Sequence, residues 1–285
     1  MSFLLGSIFG KQKREEEFHK GKALITDGII ISLVGTAFFV WSRSLSSSNS
    51  NTTPTTSNQV DLVCIHGLLA LLMFLQSWAD YVWHPAPRKK QDPEIWNAVG
   101  LGLGHFCWFT GQSLFLQSIY HFFSFLSLFL KDAQLSAAVS TFSTWVMTQS
   151  FLLTVLFLVL NWMEPKWQKL RREKEKSFPH WGWFQFATHT PNVVFALFDF
   201  FFLQSKTAIA ANTFSFQTAI MIGIAYNAIY ATFLFVAYDR SGVPIYPFIE
   251  HLKGIKLRVG FGVVLTVAIW GAFFGFQWLR LKMTS

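Results

Sequence analysis

The chain has 285 residues, of which 52% are hydrophobic, 18% aromatic and only 13% charged. A soluble domain carries roughly 25% charged residues, so a water-soluble globule is excluded in favour of a chain that has lipid as its solvent. The net charge of +8 falls between apolar runs rather than on one face, so it predicts no nucleic-acid partner.

Residues 1–23 open with MSFLLGSIFG and continue KQKREEEFHKGK. The apolar part is short for a signal-peptide core, and the charges follow it rather than precede it. It reads as a tail. Residues 24–41 form the first expected span, with Asp27 near its start, where a helix N-terminus tolerates an acid. A Ser/Thr/Asn-rich loop at 42–59 has no means of forming a core. It contains the sequon Asn51-Thr52-Thr53.

The second span is expected at 60–83. Its Cys64, like Cys107 further on, lies in an apolar run, so packed thiols are expected rather than a disulfide. Cys64 and His66 lack the further ligands that a metal site needs. No metal and no other cofactor is expected.

The run 96–130 is too long for one upright span of roughly 20 residues. Its beginning is expected in the interface, or the helix tilts. Gly100 and Gly104 have a spacing that lets helices approach closely. At 100° per residue, Thr110, Leu114, Gln117 and His121 fall along one stripe. Such a polar stripe in lipid should face inward, either as interhelical hydrogen bonding or as part of a site.

Residues 135–163 form the fourth span, and EPKWQKLRREKEKSFPH follows as a charged loop. The fifth, 181–203, is apolar yet holds His189, Asn192 and Asp199, and ionisable residues there usually face a bundle interior. Gln185, His189 and Asn192 share one helical face, and Pro191 between them loosens the backbone ladder. A histidine bonded across helices is the plainer alternative to a functional one. Asp199 is roughly 15 Å along the axis from His189, so it is expected to bond another helix. Spans at 208–238 and 255–279 complete the set, the last with Gly271 and Gly275 at close-packing spacing.

The fold class is therefore all-α, a polytopic transmembrane helical bundle of seven spans. Most of the 23 Lys and Arg lie in residues 1–23, 84–95, 164–180 and 239–258. These alternate segments belong on the cytosolic side, which puts the N-terminus in the cytosol. A six-span bundle would need one re-entrant run and would spoil that alternation. The organisation is a cytosolic tail at 1–23, two N-terminal spans at 24–95, and a five-span core at 96–285.

The segment Gly242–His251, GVPIYPFIEH, resembles the Y-P-F-hydrophobic-E-H signature of the androgen-induced (FAR-17a-like) family. The His189–Asp199 segment is similar to that family's histidine span, in which an acid follows ten residues on. Thr110-xxx-Leu114-xx-Gln117 resembles the span with the family's nucleophilic threonine. The three occur in family order and the resemblance covers roughly residues 105–280. Members are integral-membrane hydrolases of fatty acid esters of hydroxy fatty acids. The resemblance implies Thr110 as nucleophile, His189 as its partner, and lipid esters as substrate.

That pairing is chemically sensible. A threonine hydroxyl needs a base to take its proton, and a neutral histidine within reach can do so and then protonate the leaving alkoxide. Gln117 or Asn192 is a candidate donor to the oxyanion. Tyr246, Glu250 and His251 are expected to be structural, with Glu250 pairing to a Lys or Arg. A substrate carried by membrane lipids fits an integral protein of the endoplasmic reticulum or plasma membrane. A multi-pass transporter or channel is the alternative, though no paired Gly/Pro breaks mark matching halves. Haem ligation by His66, His105, His121 or His189 is disfavoured, because His105 and His121 lie far apart on one helix.

Overall fold

The computed structural model describes residues 59–83, 108–177, 181–204, 212–242 and 244–282. The expected span 24–41, the sequon at Asn51, and the stretch 96–107 with Gly100, Gly104, His105 and Cys107 lie outside the described residues. Among the described residues every element is helical. These are α1 (Gln59–Trp83), α2 (Phe109–Phe129), α3 (Ala133–Met163), α4 (Pro165–Ser177), α5 (Trp181–His189), α6 (Pro191–Phe198), α7 (Phe216–Ser241) and α8 (Ile255–Lys282). A short π-helical turn, Asp199–Leu203, extends α6, and a 3₁₀ turn, Pro247–His251, precedes α8.

Local chemistry sets several of these boundaries. Asp132 caps α3 by accepting from the N–H groups of Gln134 and Leu135, which satisfies two of the donors a helix start leaves over. Ser215 caps α7 through the Thr218 N–H. Gly242, at φ 73°, ends α7 in the left-handed conformation that lets its N–H reach the Tyr238 carbonyl.

The distribution of polarity is that of a protein in lipid. Ser113, Gln117, His121, Thr148, Gln149, Ser150, Asn192 and Asp199 are buried, whereas Phe129, Met163, Phe202, Ile229, Ile255 and Val264 are exposed. Polar groups satisfied inside and apolar side chains facing out are what a bilayer demands. Among the described residues, four helices are long and apolar enough to cross a membrane: Ala133–Asn161, Trp181–Leu203, Phe216–Val236 and Ile255–Lys282. The apolar part of α1, Asp61–Leu75, is shorter. α2 has 21 residues, and its hydroxyls, amides and imidazole keep it out of that set.

α3 is the centre of the bundle. It packs against α2, α6 and α8, while α1 lies on α2 and α7 on α8. Its buried hydroxyls look inward at no cost in partners, because Thr141, Ser143, Thr148 and Ser150 each donate to a carbonyl three or four residues back. The largest apolar cluster joins Phe109 of α2, Trp145 and Leu152 of α3, Tyr230 and Leu234 of α7, Ile245 and Ile249 of the following segment, and Phe273 of α8. The start of α2 is thus embedded in the most continuous part of the core.

Two expectations change at the α7–α8 end. A Cβ on Gly271 or Gly275 would meet nothing within 4 Å, so among the described residues these glycines mark no close helix approach. Gly223 does, since a Cβ there would fall 2.5 Å from the Trp270 indole nitrogen. Arg280, read from the sequence as a charge beyond the last span, is instead fully buried. α8 runs on to Lys282, and the guanidinium donates to the Ser140 carbonyl at 2.7 Å, Ser140 Oγ at 2.9 Å and Thr144 Oγ1 at 3.0 Å. A polar notch on α3 makes that possible.

Near the other end of this pair, Arg258 donates to both carboxylate oxygens of Asp239 at 2.6 Å. These bonds hold the Asp239 carboxyl below the usual carboxylate range. A carboxyl lowered on folding contributes stability that is fully present above its unfolded pKa and is lost as pH falls through the folded one. The pair is exposed, so the effect is small. Asp239→Asn is expected to melt slightly below wild type at neutral pH and to match it once the medium is acid enough to protonate Asp239. A gap that persisted in acid would point to another cause.

Candidate active site

The α2 helix begins at Phe109, after Trp108 in an extended conformation (φ −95°, ψ 134°). Thr110 therefore lies in the first turn of a helix that begins well into the run 96–130. Trp108 makes no side-chain cap. The missing acceptor comes from far away in sequence: the Phe109 N–H donates to Tyr246 Oη at 2.9 Å. Tyr246 is in turn within 3.2 Å of Tyr230 Oη and edge-on to the Trp108 ring. The tyrosine of the Y-P-F segment thus pins the helix start that holds Thr110.

His189 is the last residue of α5, and Pro191 opens α6. Proline has no N–H to continue the ladder and fits the first turn of a helix. The break thus falls at the imidazole, as the sequence suggested. Thr110 Oγ1 lies 2.8 Å from His189 Nε2, although 79 residues separate them. The other ring nitrogen, Nδ1, is 2.7 Å from the Gln185 carbonyl oxygen. A carbonyl only accepts, so Nδ1 bears the proton. Nε2 then presents its lone pair, and the Thr110 hydroxyl is the donor.

Three further residues fix this imidazole. Phe157 of α3 stacks on it, with ring centroids 4.2 Å apart and planes inclined by 17°. Thr154, one turn earlier on α3, donates to the His189 carbonyl at 2.8 Å. Thr188 Oγ1 lies 3.0 Å from Nδ1 and itself donates to the Gln185 carbonyl. Neither Thr154 nor Phe157 stands out in the sequence, because both belong to a span that reads as uniformly apolar with scattered hydroxyls. His189 is 8% exposed and Thr110 is half-buried.

Gln117 and Asn192 are both fully buried. Gln117 stands two turns from Thr110, about 10 Å along the axis, and its amide nitrogen is 3.5 Å from Ser113 Oγ. The Asn192 amide donates to the Thr188 carbonyl at 2.7 Å. Their side-chain carbonyl oxygens have no hydrogen-bond partner among the described residues.

Asp199 serves other helices, as its distance from His189 requires. It accepts from Tyr120 Oη of α2 at 2.6 Å and lies 3.6 Å from His66 Nε2 of α1. His66 in turn faces His121, with their Nδ1 atoms 3.3 Å apart. Glu250 pairs with Lys166, which ties the 3₁₀ turn to α4. This is the Lys or Arg partner expected of it. His251 ends that turn, exposed.

Four described helices apolar enough to cross a bilayer, with polar side chains gathered inside and large apolar ones turned outward, define an integral membrane protein of the polytopic helical class. Residues 65–280 match the family described as FAR-17a/AIG1-like protein, and the chain belongs to that family. The matched stretch begins inside α1, so it takes in the helix of His66 as well as the sites of Thr110, His189 and Tyr246. No curated protein and no solved structure matches the chain.

Proposed function

We propose that the protein is an intramembrane hydrolase of lipid esters, such as fatty acid esters of hydroxy fatty acids, with Thr110 as nucleophile and His189 as general base and acid. The observation that carries this reading is the 2.8 Å contact between Thr110 Oγ1 and His189 Nε2, in the tautomer that leaves Nε2 free to take a proton. Family membership, which is consistent with a membrane hydrolase, supports it.

In this mechanism Nε2 removes the hydroxyl proton as Oγ1 attacks the ester carbonyl. The resulting imidazolium is steadied by the bond from Nδ1–H to the Gln185 carbonyl. It then protonates the leaving alkoxide, and the acyl group stays on Thr110 until His189 activates a water to release it. The stiff β-branched side chain of threonine restricts where Oγ1 points. The first N–H groups of a helix lack intrahelical partners, and the helix dipole there favours negative charge. The backbone N–H groups of Thr110 and Gly111 are therefore the nearest donors for the oxyanion. Gln117 and Asn192, with bare carbonyl oxygens, are better suited to accept from a water or a substrate hydroxyl.

A bilayer site suits a long acyl chain, because each buried methylene favours the membrane by about 0.8 kcal/mol. The seven-span topology with a cytosolic N-terminus, the five-span core at 96–285, and residence in the endoplasmic reticulum or plasma membrane are part of the same proposal.

The test is hydrolysis of a panel of long-chain lipid esters by the purified protein, with mass spectrometry of the protein after rapid quenching. Ester cleavage together with an acyl group on Thr110 is the expected result. Cleavage of none of them, or an acyl group on another residue, would overturn it. Tyr246→Phe offers a subtler check. It leaves the Phe109 N–H without its acceptor, a loss of about 1–3 kcal/mol in a buried setting. If that cost is felt where the nucleophile is held, kcat should fall about tenfold while KM changes little. Steady-state kinetics on the two proteins decides the matter.

A further inference from the structure

We propose that His66, His121 and Asp199 form a binding site for a divalent first-row transition-metal ion, zinc being the one best suited to the ligand set. The site lies away from Thr110 and does not depend on the hydrolase reading.

The three residues come from three separate elements: α1, α2 and the π-helical turn after α6. All are buried, at 3%, 0% and 2% exposure. One donor atom from each lies within 4.8 Å of the other two. The two shortest approaches use opposite nitrogens of His66, Nδ1 at 3.3 Å from His121 Nδ1 and Nε2 at 3.6 Å from Asp199 Oδ1, so one ion takes only one of these nitrogens and the other ligand moves in to meet it. Zinc bound tetrahedrally at 2.0–2.2 Å spaces its ligand atoms about 3.4 Å apart. Closing the set on one ion asks for inward movement of about 1 Å. Two neutral imidazoles and one carboxylate suit zinc or iron(II), whereas magnesium and calcium require oxygen donors.

Hydrogen bonding alone leaves this cluster unfinished. The 3.6 Å spacing from Asp199 to His66 is beyond hydrogen-bond reach, and His121 Nε2 has no partner among the described residues. The nearby cation, Arg280, directs its N–H groups at Ser140 and Thr144 instead. Tyr120 and Gln204 do serve the carboxylate, as outer partners of a metal-bound carboxylate commonly do. The backbone points the same way. Asp199 opens a π-helical turn, a widened geometry found frequently at functional sites.

The site also accounts for how α1 is held. Over Asp61–Leu75 only His66, Leu69 and Met73 are buried, while Leu68, Leu71, Leu72, Phe74 and Leu75 face outward. An ion shared with α2 and the π turn would tie α1, which packs along α2, to a third element of the bundle.

The experiment uses the full chain purified in detergent through a tag without histidine. It is loaded with Zn²⁺, passed over a chelating resin, and measured for all first-row metals by mass spectrometry. About one equivalent of zinc or iron per chain is expected, with less than one tenth of that in His121→Ala and in Asp199→Asn, and no loss in Thr110→Ala. Wild type carrying no metal, or variants carrying as much as wild type, would show a hydrogen-bonded cluster only and overturn the proposal. Should either variant fail to fold, X-ray absorption on loaded wild type decides. Two imidazoles with oxygen support the site, and sulfur in the first shell overturns it.

Discussion

His189→Ala and Thr110→Ala are each expected to lower kcat by about 10⁴-fold or more, with protein yield and melting behaviour little changed. General acid–base assistance alone contributes about 10²–10⁴-fold, and losing the nucleophile removes the covalent route altogether. In the proposed mechanism the two groups act as one unit through a single shared proton. The double variant should therefore be no slower than either single one, because residues of such a unit are grossly non-additive. Rates of ester cleavage for the three proteins, measured at saturating substrate, provide the check. Multiplying effects would mean that the hydroxyl and the imidazole work independently, despite their 2.8 Å contact. Thr110→Ser keeps the oxygen but gives up the second branch on Cβ, so it should retain part of the rate.

The largest effect on stability is expected at Arg280. Arg280→Ala removes three bonds to α3 and leaves a hole in the interior where the guanidinium lay. Together these should cost about 3 kcal/mol. Arg280→Met fills most of the volume without a charge that must be stripped of water. Since replacing a buried ion by an apolar side chain of similar size is often nearly neutral, this variant should recover much of the loss. Thermal unfolding in detergent separates the two. Turnover per folded molecule should be unaltered in both, because Arg280 touches neither Thr110 nor His189. If Arg280→Ala melts with wild type, the guanidinium merely occupies space.

The pairing of Thr110 with His189 was implied in the sequence by the resemblance of their two segments, and lipid helped to make both residues visible. Polar side chains are costly in lipid, so Thr110 and His189 stand out against Phe and Leu in a way they would not in water. Pro191 likewise announced the break that ends α5 at the imidazole. What the chain order could not convey was the start of α2. No residue near Phe109 signals a cap, because the acceptor belongs to Tyr246, 137 residues away. Arg280 was misplaced for a related reason. A charge near the end of an apolar run reads as solvated, and only the Ser140–Thr144 notch on α3, seen in three dimensions, makes it an inner residue. Helix faces were readable one at a time, but which face meets which was not. His66, His121 and Asp199 therefore appeared as three separate oddities rather than one cluster.

The link between Phe109 and Tyr246 has a consequence for biogenesis. Thr110 leaves the ribosome long before Tyr246 is made, so during synthesis the first turn of α2 waits without its distant acceptor. The Thr110 hydroxyl gains its firm footing only once the segment that carries Tyr246 has been inserted. On the proposed hydrolase reading, half-finished chains would be poor acyl acceptors, and the nascent protein would be spared from attacking the lipids that surround it.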